Sequence, residues 1–195
     1  MYKTYIFDLD GTLLNTLGDL AASTNYALRQ FSMPEHSIDD VRQFVGNGVG
    51  KLIERAIPDG LKNPLYEDVL ATFRKHYMQH SLDTTSPYPG IEHLLHTLRS
   101  MDCNVAVVSN KFYNATVELC RHFFADTVFE AMRQLGVTAD DTVYVGDSEV
   151  DVATARNAGI PCISVLWGFR DKDFLIEHGA TTFVNKPDEI LKIRN

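Results

Sequence analysis

Tyr5-Ile6-Phe7 is a short aromatic and β-branched run that ends abruptly in Asp8-Leu9-Asp10-Gly11-Thr12, the pattern of a buried strand spilling into a polar loop. From Asp19 to about His80 the apolar spacing lengthens to that of helices. Leu20, Ala21, Ala27, Leu28 and Phe31 fall on one helix, which Pro34 ends. Ser37 is placed to cap a second at Ile38, with Val41, Phe44 and Val45 apolar and Gly46-Asn47-Gly48 as its stop. Leu52, Ile53, Ala56 and Ile57 predict a third helix closed by Pro58-Asp59-Gly60, and Leu65, Val69, Phe73 and Tyr77, four apart, predict a fourth to about Leu82. No strand-like run interrupts this stretch.

After Pro87-Tyr88-Pro89-Gly90 the texture changes. Ile91 to Arg99 reads as a helix, and Val105-Ala106-Val107-Val108 as a near-continuous apolar strand ending in Ser109-Asn110-Lys111. Thr142-Val143-Tyr144-Val145 ends in Gly146-Asp147-Ser148, and Cys162-Ile163-Ser164-Val165 follows a helix holding Ala153 and Ala155. Strands alternating with helices predict βαβ units and a parallel sheet. The simplest architecture is an α/β core, residues 1–14 and 86–195, interrupted by an all-helical insert over 15–85, a size within the range of a small domain.

Composition narrows the class of function. With 195 residues, 45% hydrophobic and 23% charged, the chain is an ordinary globular protein and no apolar run approaches a membrane span. The net charge of −8 repels phosphate backbones, so nucleic acid is not an expected partner. Cys103, Cys120 and Cys162 are odd in number and dispersed, which argues for a reducing compartment and against disulfides or a zinc site. The opening Met1-Tyr2-Lys3-Thr4-Tyr5-Ile6-Phe7 is too short and polar for a signal h-region. A cytoplasmic location is expected.

In open parallel sheets ligands bind beyond the carboxyl ends of the strands. Three predicted strand ends carry polar groups: Asp8 and Asp10, then Ser109 and Asn110, then Asp147 and Asp151. Converging carboxylates repel unless a cation lies between them, and all-oxygen ligation suits Mg²⁺ rather than zinc. A carboxylate beside such a metal can attack phosphorus. Each motif alone reads as a turn or a helix cap; three in this order, each after an apolar strand, form a constellation.

Phe7-Asp8-Leu9-Asp10-Gly11-Thr12-Leu13, Val108-Ser109-Asn110-Lys111 and Gly146-Asp147-Ser148-Glu149-Val150-Asp151 resemble motifs I, II and IV of the haloacid dehalogenase superfamily, and the helical insert sits where that family places its C1-type cap. Phe44-Val45-Gly46-Asn47-Gly48, Tyr88-Pro89-Gly90 and Trp167-Gly168-Phe169-Arg170-Asp171 look like its phosphoglycolate phosphatase branch. The resemblance implies a Rossmann-like core with a helical cap. It also implies a Mg²⁺-dependent phosphomonoester hydrolase that works through an aspartyl-phosphate on a small phosphorylated metabolite, with 2-phosphoglycolate as first choice. Asp8 would be the nucleophile and Asp10 the general acid and base. Magnesium would be held by the Asp8 carboxylate, the Asp10 main-chain carbonyl and Asp147, with Asp151 acting from behind. Gly11, Thr12, Ser109 and Asn110 would bind the phosphoryl group, with Thr12 bracing its loop, and Asn47 of the cap would help choose substrate. The second aspartate, Asp10, separates phosphatases from dehalogenases. Oligomeric state, monomer or homodimer, is left open.

The chain departs from the family pattern twice. Asn15 replaces an aspartate that usually continues motif I, a change at the cap hinge with little expected chemical effect. Motif III, a lysine before the helix leading to motif IV, is not visible, and Lys111 is not taken as its substitute. The helix after Val105–Val108 descends to about Phe124, and a helix over about 127–135 must also descend to feed the strand at Thr142. Two residues reach only about 7 Å, against the roughly 18 Å of a twelve-residue helix. We therefore expect about 20 residues to be absent between roughly Phe124 and Asp126, either a loop left out or a deletion that costs the lysine.

Other candidates are weaker. His76 and His80, four apart, lack a third ligand and read as a solvated helix face, as do His93 and His96. Lys51 stands near the position of a Schiff-base lysine in related phosphonoacetaldehyde hydrolases, but its surroundings are those of a phosphatase. The competing functions are a pyrophosphatase or sugar-phosphate phosphatase with the same machinery, and a catalytically weak binding protein on the same fold.

Overall fold

The computed structural model describes residues 1–124 and 139–194. Its core is a five-stranded, all-parallel sheet. The strands are β1 (Thr4–Phe7), β2 (Asn104–Val107), β3 (Thr142–Gly146), β4 (Cys162–Val165) and β5 (Phe183–Val184), in spatial order β2-β1-β3-β4-β5. β1 and β3, both flanked on two sides, are buried almost throughout: Tyr5 and Phe7 of β1 and Val143 and Val145 of β3 have no exposed surface. This is why they read as apolar runs rather than as alternating patterns. Phe7 lies in register with Val107 on one side and Val145 on the other, so β1, β2 and β3 end at the same level. The chain leaves β1 to β2 in one direction and to β3 in the other, and the switch point of the sheet lies at the end of β1.

The expected strands are all present, shifted by a residue at most. The edge strand β5 was not anticipated, because Phe183-Val184 is too short to carry a pattern. The helices of this unit include α5 (Ile91–Ser100), α7 (Glu149–Ala158), α8 (Lys172–Glu177) and α9 (Pro187–Ile190). The junction expected at 124–126 and the helix expected over 127–135 lie outside the described residues.

The chain divides into two compact units. One comprises Met1–Asn15, Pro87–Ser109 and Cys120–Asn195; the other comprises Thr16–Ser86 and Asn110–Leu119. The first segment of the second carries four α-helices, α1 (Leu17–Gln30), α2 (Ile38–Phe44), α3 (Gly48–Ala56) and α4 (Tyr66–His80). Residues 110–119, which the sequence division left with the core, group with these helices. They carry the start of α6 (Tyr113–Phe124). Lys111 is buried, with its ammonium 4.7 Å from the centre of the Tyr77 ring.

Local chemistry explains the helix boundaries. Ser37 caps α2 reciprocally with Asp40: its hydroxyl accepts the Asp40 N–H at 3.1 Å, and its own N–H donates to the Asp40 carboxylate at 3.0 Å. Gly46-Asn47-Gly48 does more than stop that helix. Gly46, Asn47 and Gly48 all have positive φ, and α3 already begins at Gly48, a turn before the Leu52 suggested by the apolar pattern. In the first turn of α1, the buried Asp19 carboxylate accepts the N–H groups of Thr84 (2.9 Å) and Thr85 (3.0 Å) and both threonine hydroxyls. Asp19 thereby pins the segment leaving the helices to the segment entering them.

Candidate active site

Asp8 is the first residue past β1, and its N–H donates to Val145 O at 2.9 Å. The chain then turns tightly: Leu13 and Leu14 both return their N–H groups to Leu9 O, at 3.1 and 2.9 Å. Thr12 is held inside this turn, fully buried. Gly11 is required here. Its φ is +87°, and a Cβ would stand 2.5 Å from Asp147 Oδ2, so a side chain would be both strained and colliding.

Asp147 follows β3 directly and is buried. Thr12 donates its hydroxyl to Asp147 Oδ1 at 3.0 Å, and the Phe169 N–H donates to Oδ2 at 2.7 Å. Asp151 lies one turn into α7, also buried. Its Oδ2 accepts the N–H of Asp147 (3.1 Å), the N–H of Ser148 (2.9 Å) and the Ser148 hydroxyl (2.7 Å). Asp8, Asp147 and Asp151 each offer an oxygen within 4.8 Å of the others. Three of the four strand-end carboxylates singled out from the sequence, all but Asp10, are thus brought together.

Their electrostatics reflect that crowding. Burial, with Asp151, Asp147 and Asp10 as like-charged neighbours, holds the Asp8 carboxyl well above the usual carboxylate range. Burial and then Asp151 push Asp147 up to about 7, against the lowering pull of the Phe169 N–H, the Thr12 hydroxyl and Arg170. Burial also raises Asp151, opposed by the Ser148 donors and the Tyr144 hydroxyl. A set of crowded, mutually repelling carboxylate oxygens containing no thiol or imidazole fits a hard divalent cation such as Mg²⁺.

The remaining predicted residues fall in two groups. Asp10 is half-buried and close enough for its charge to act on Asp8, but its carboxylate is not one of the three that converge. Ser109, half-buried, follows β2 at the strand ends. Asn47 and Asn110 belong to the helical unit, where a Cβ on Gly48 would lie 3.0 Å from the Asn110 carbonyl oxygen. Among the weaker candidates, Lys51 pairs with Glu54 at 2.6 Å. His93 and His96 are exposed, whereas His76 and His80 are half-buried and not simply solvated. They stack on each other at 4.2 Å, and His76 stacks on Tyr26 at 4.0 Å while bonding Ser23 at 3.0 Å.

Three contributors to the site were not assigned from the sequence. Tyr144 on β3 bonds Asp151 through its hydroxyl. Arg170, buried, donates to Glu149 at 3.1 Å. The segment Trp167–Phe169, left undecided between loop packing and a lip, touches both the Thr12 turn and Asp147. Its position just past the end of a parallel strand was the available signal.

The family model of the haloacid dehalogenase-like hydrolases matches residues 2–159. A phosphoglycolate phosphatase of Cereibacter sphaeroides is 33% identical over 213 residues, covering 96% of each chain. Another from Chromobacterium violaceum is 32% identical over 212 residues, covering 96% of this chain and 94% of its own. The crystal structure of a candidate phosphoglycolate phosphatase from Lactobacillus delbrueckii subsp. bulgaricus superposes with a TM-score of 0.90 at 33% identity, covering 97% of this chain and 96% of that one. The Chromobacterium alignment spans 212 positions while using 96% of 195 residues, so that relative has about 25 residues without a counterpart here.

Proposed function

The chain belongs to the haloacid dehalogenase-like hydrolases, on their phosphatase side, and on that premise we propose that it is a Mg²⁺-dependent phosphomonoesterase whose substrate is a small acidic metabolite, 2-phosphoglycolate first. The observation that carries this reading is the convergence of Asp8, Asp147 and Asp151 at the switch point of a parallel sheet, with Asp10 three residues past the end of β1.

The Asp8 and Asp147 carboxylates and the Asp10 main-chain carbonyl would hold the cation, with Asp151 behind them. When bound, Mg²⁺ neutralises the repulsion between the carboxylates and an incoming phosphoryl group. Asp8 attacks phosphorus in line, and the bond to the leaving oxygen breaks as Asp10 protonates that oxygen. The product alcohol departs and leaves an aspartyl-phosphate on Asp8. Asp10, now a carboxylate, takes a proton from water, which attacks the phosphorus and frees Asp8 and inorganic phosphate. Ser109, Asn110 and the Gly11-Thr12 turn would bind phosphoryl oxygens. We assign the helical unit, residues 15–85 by sequence, to the cap, with Asn47 at its selective edge. Cytoplasmic action accords with three cysteines that form no disulfide; among the described residues no helix is long and apolar enough to cross a membrane.

One observation favours a second reading. The sequence has no lysine between Lys111 and Lys172, the interval in which motif III was expected, and a protein without that group could bind phosphate esters while turning them over poorly. Phosphate release from a panel of 2-phosphoglycolate, sugar phosphates, pyrophosphate and an aryl phosphate, with Mg²⁺ and with EDTA, separates the readings. Mg²⁺-dependent release fastest from 2-phosphoglycolate supports the proposal. A preference for pyrophosphate or sugar phosphates moves the substrate, and no release from any ester favours the binding protein.

A further inference from the structure

We infer that Trp167 is a positioning residue for Asp147, acting through Thr12, and that the segment Trp167–Arg170 thereby sets how tightly the carboxylate cluster takes a divalent cation. This rests on the reading above that the cluster holds Mg²⁺.

A short chain of donors links the segment to the carboxylate cluster. Beyond β4 the backbone reaches Trp167, whose indole Nε1–H donates to the main-chain carbonyl of Thr12 at 3.0 Å. Thr12, so held, donates its hydroxyl to Asp147 Oδ1 at 3.0 Å. Two residues after Trp167, the Phe169 N–H donates to the other oxygen, Oδ2, at 2.7 Å. Between them, Gly168 passes so close that a Cβ there would overlap the Asp147 side chain. The far end of the segment is anchored separately, because buried Arg170 pairs with Glu149 in the first turn of α7. One four-residue stretch therefore grips the turn that follows Asp8, the Asp147 carboxylate and the helix that carries Asp151.

That grip has a purpose in the electrostatics. Asp147 and Asp151 repel, so an unheld Asp147 side chain gains by turning away from the cluster. A hydroxyl on one oxygen and an N–H on the other fix the carboxylate plane and leave each oxygen a further lone pair for a cation. An ordinary packing tryptophan would use its ring. Trp167 is only half-buried and spends its single polar atom on the loop that aligns Asp147.

The test is Mg²⁺ titration by isothermal calorimetry of the full chain, in wild type, Trp167→Phe and Asp147→Asn, with melting curves in EDTA alongside. Phenylalanine keeps the ring and removes the N–H. Groups that orient metal ligands typically contribute about 10–100-fold in affinity. We expect Trp167→Phe to weaken Mg²⁺ binding by about tenfold with cooperative melting retained. In steady state the Mg²⁺ concentration for half-maximal rate should rise by the same factor while KM for the ester stays within about twofold. A Trp167→Phe protein that binds Mg²⁺ as wild type does, while Asp147→Asn does not, overturns this inference and leaves the proposed function standing. Wild type that takes up no Mg²⁺, or Asp147→Asn that binds it normally, overturns both. If Trp167→Phe fails to fold, Thr12→Val and Thr12→Ser decide. Loss with valine and retention with serine support the relay, and equal affinities in valine and wild type overturn it.

Discussion

Ser148 and Asp151 are bound to each other twice: the Asp151 carboxylate accepts both the N–H (2.9 Å) and the hydroxyl (2.7 Å) of Ser148. The pair closes the N-terminus of α7 in a capping box, and the same carboxylate is one of the three that converge beyond the sheet. A capping residue and a member of the carboxylate cluster are one side chain, which ties the helix start to that cluster.

The two roles come apart by substitution. Asp151→Asn keeps an acceptor for the Ser148 donors and removes a charge, so it should melt at or above wild type in EDTA. Its Mg²⁺ affinity should fall by about 10–100-fold. Asp151→Ala loses the cap as well and should be destabilised by about 1 kcal/mol relative to the asparagine variant. Thermal melting and calorimetry on both proteins check this; an asparagine variant that binds Mg²⁺ normally would remove Asp151 from the site.

Proton and metal should compete. Asp147 is pushed from 3.8 up to about 7 in the folded chain, so across that interval the folded state holds more protons than the unfolded one. By linkage the metal-free protein loses stability as pH rises from about 4 to about 7. Mg²⁺ binds the deprotonated form and restores what was lost. The rise in melting temperature on adding millimolar Mg²⁺ should therefore be larger near pH 8 than near pH 5. A pH-independent rise would contradict the assignment of the cation to these carboxylates.

Asp19 offers a contrast, because it is a buried carboxyl that belongs to the helical unit. Asp19→Ala leaves two backbone N–H groups and two hydroxyls at Thr84 and Thr85 without their acceptor, and should cost about 2–4 kcal/mol. Its Mg²⁺ affinity should match wild type. Denaturant unfolding measures the first and calorimetry the second; a large drop in Mg²⁺ affinity would mean that Asp19 also serves the carboxylate cluster.

Selectivity is expected to reside at Asn47. Its φ is +60°, a conformation that asparagine and glycine tolerate better than alanine, so Asn47→Gly tests the side chain with least backbone strain. Relative kcat/KM among phosphate esters should change more than the rate on a small aryl phosphate. An equal loss on every substrate would count against a selective role.

The sequence made the sheet legible because its central strands are buried on both faces, and Tyr5-Ile6-Phe7 and Thr142-Val143-Tyr144-Val145 therefore show as unbroken apolar runs. It also made the carboxylates legible, since each follows such a run. What escaped it is non-local. Nothing near Trp167 in the chain announces that its indole meets Thr12, 155 residues away. The early start of α3 was hidden because Gly48 and Gly50 have no side chains to pattern, and β5 because two residues carry no period. Residues 110–119 follow a core strand in sequence yet group with the helices, a choice set by packing partners such as Tyr77 against Lys111 and Phe112.

The proposed role of Asp8 as the nucleophile is checked by steady-state phosphate release from 2-phosphoglycolate by Asp8→Asn, with Mg²⁺ present and melting measured in parallel. The amide is nearly isosteric, relieves repulsion from Asp147 and Asp151, and cannot attack phosphorus. The expected result is a folded protein that melts no lower than wild type in EDTA and shows no measurable turnover. Turnover within about tenfold of wild type, less than removal of even a general acid or base usually costs, would contradict it.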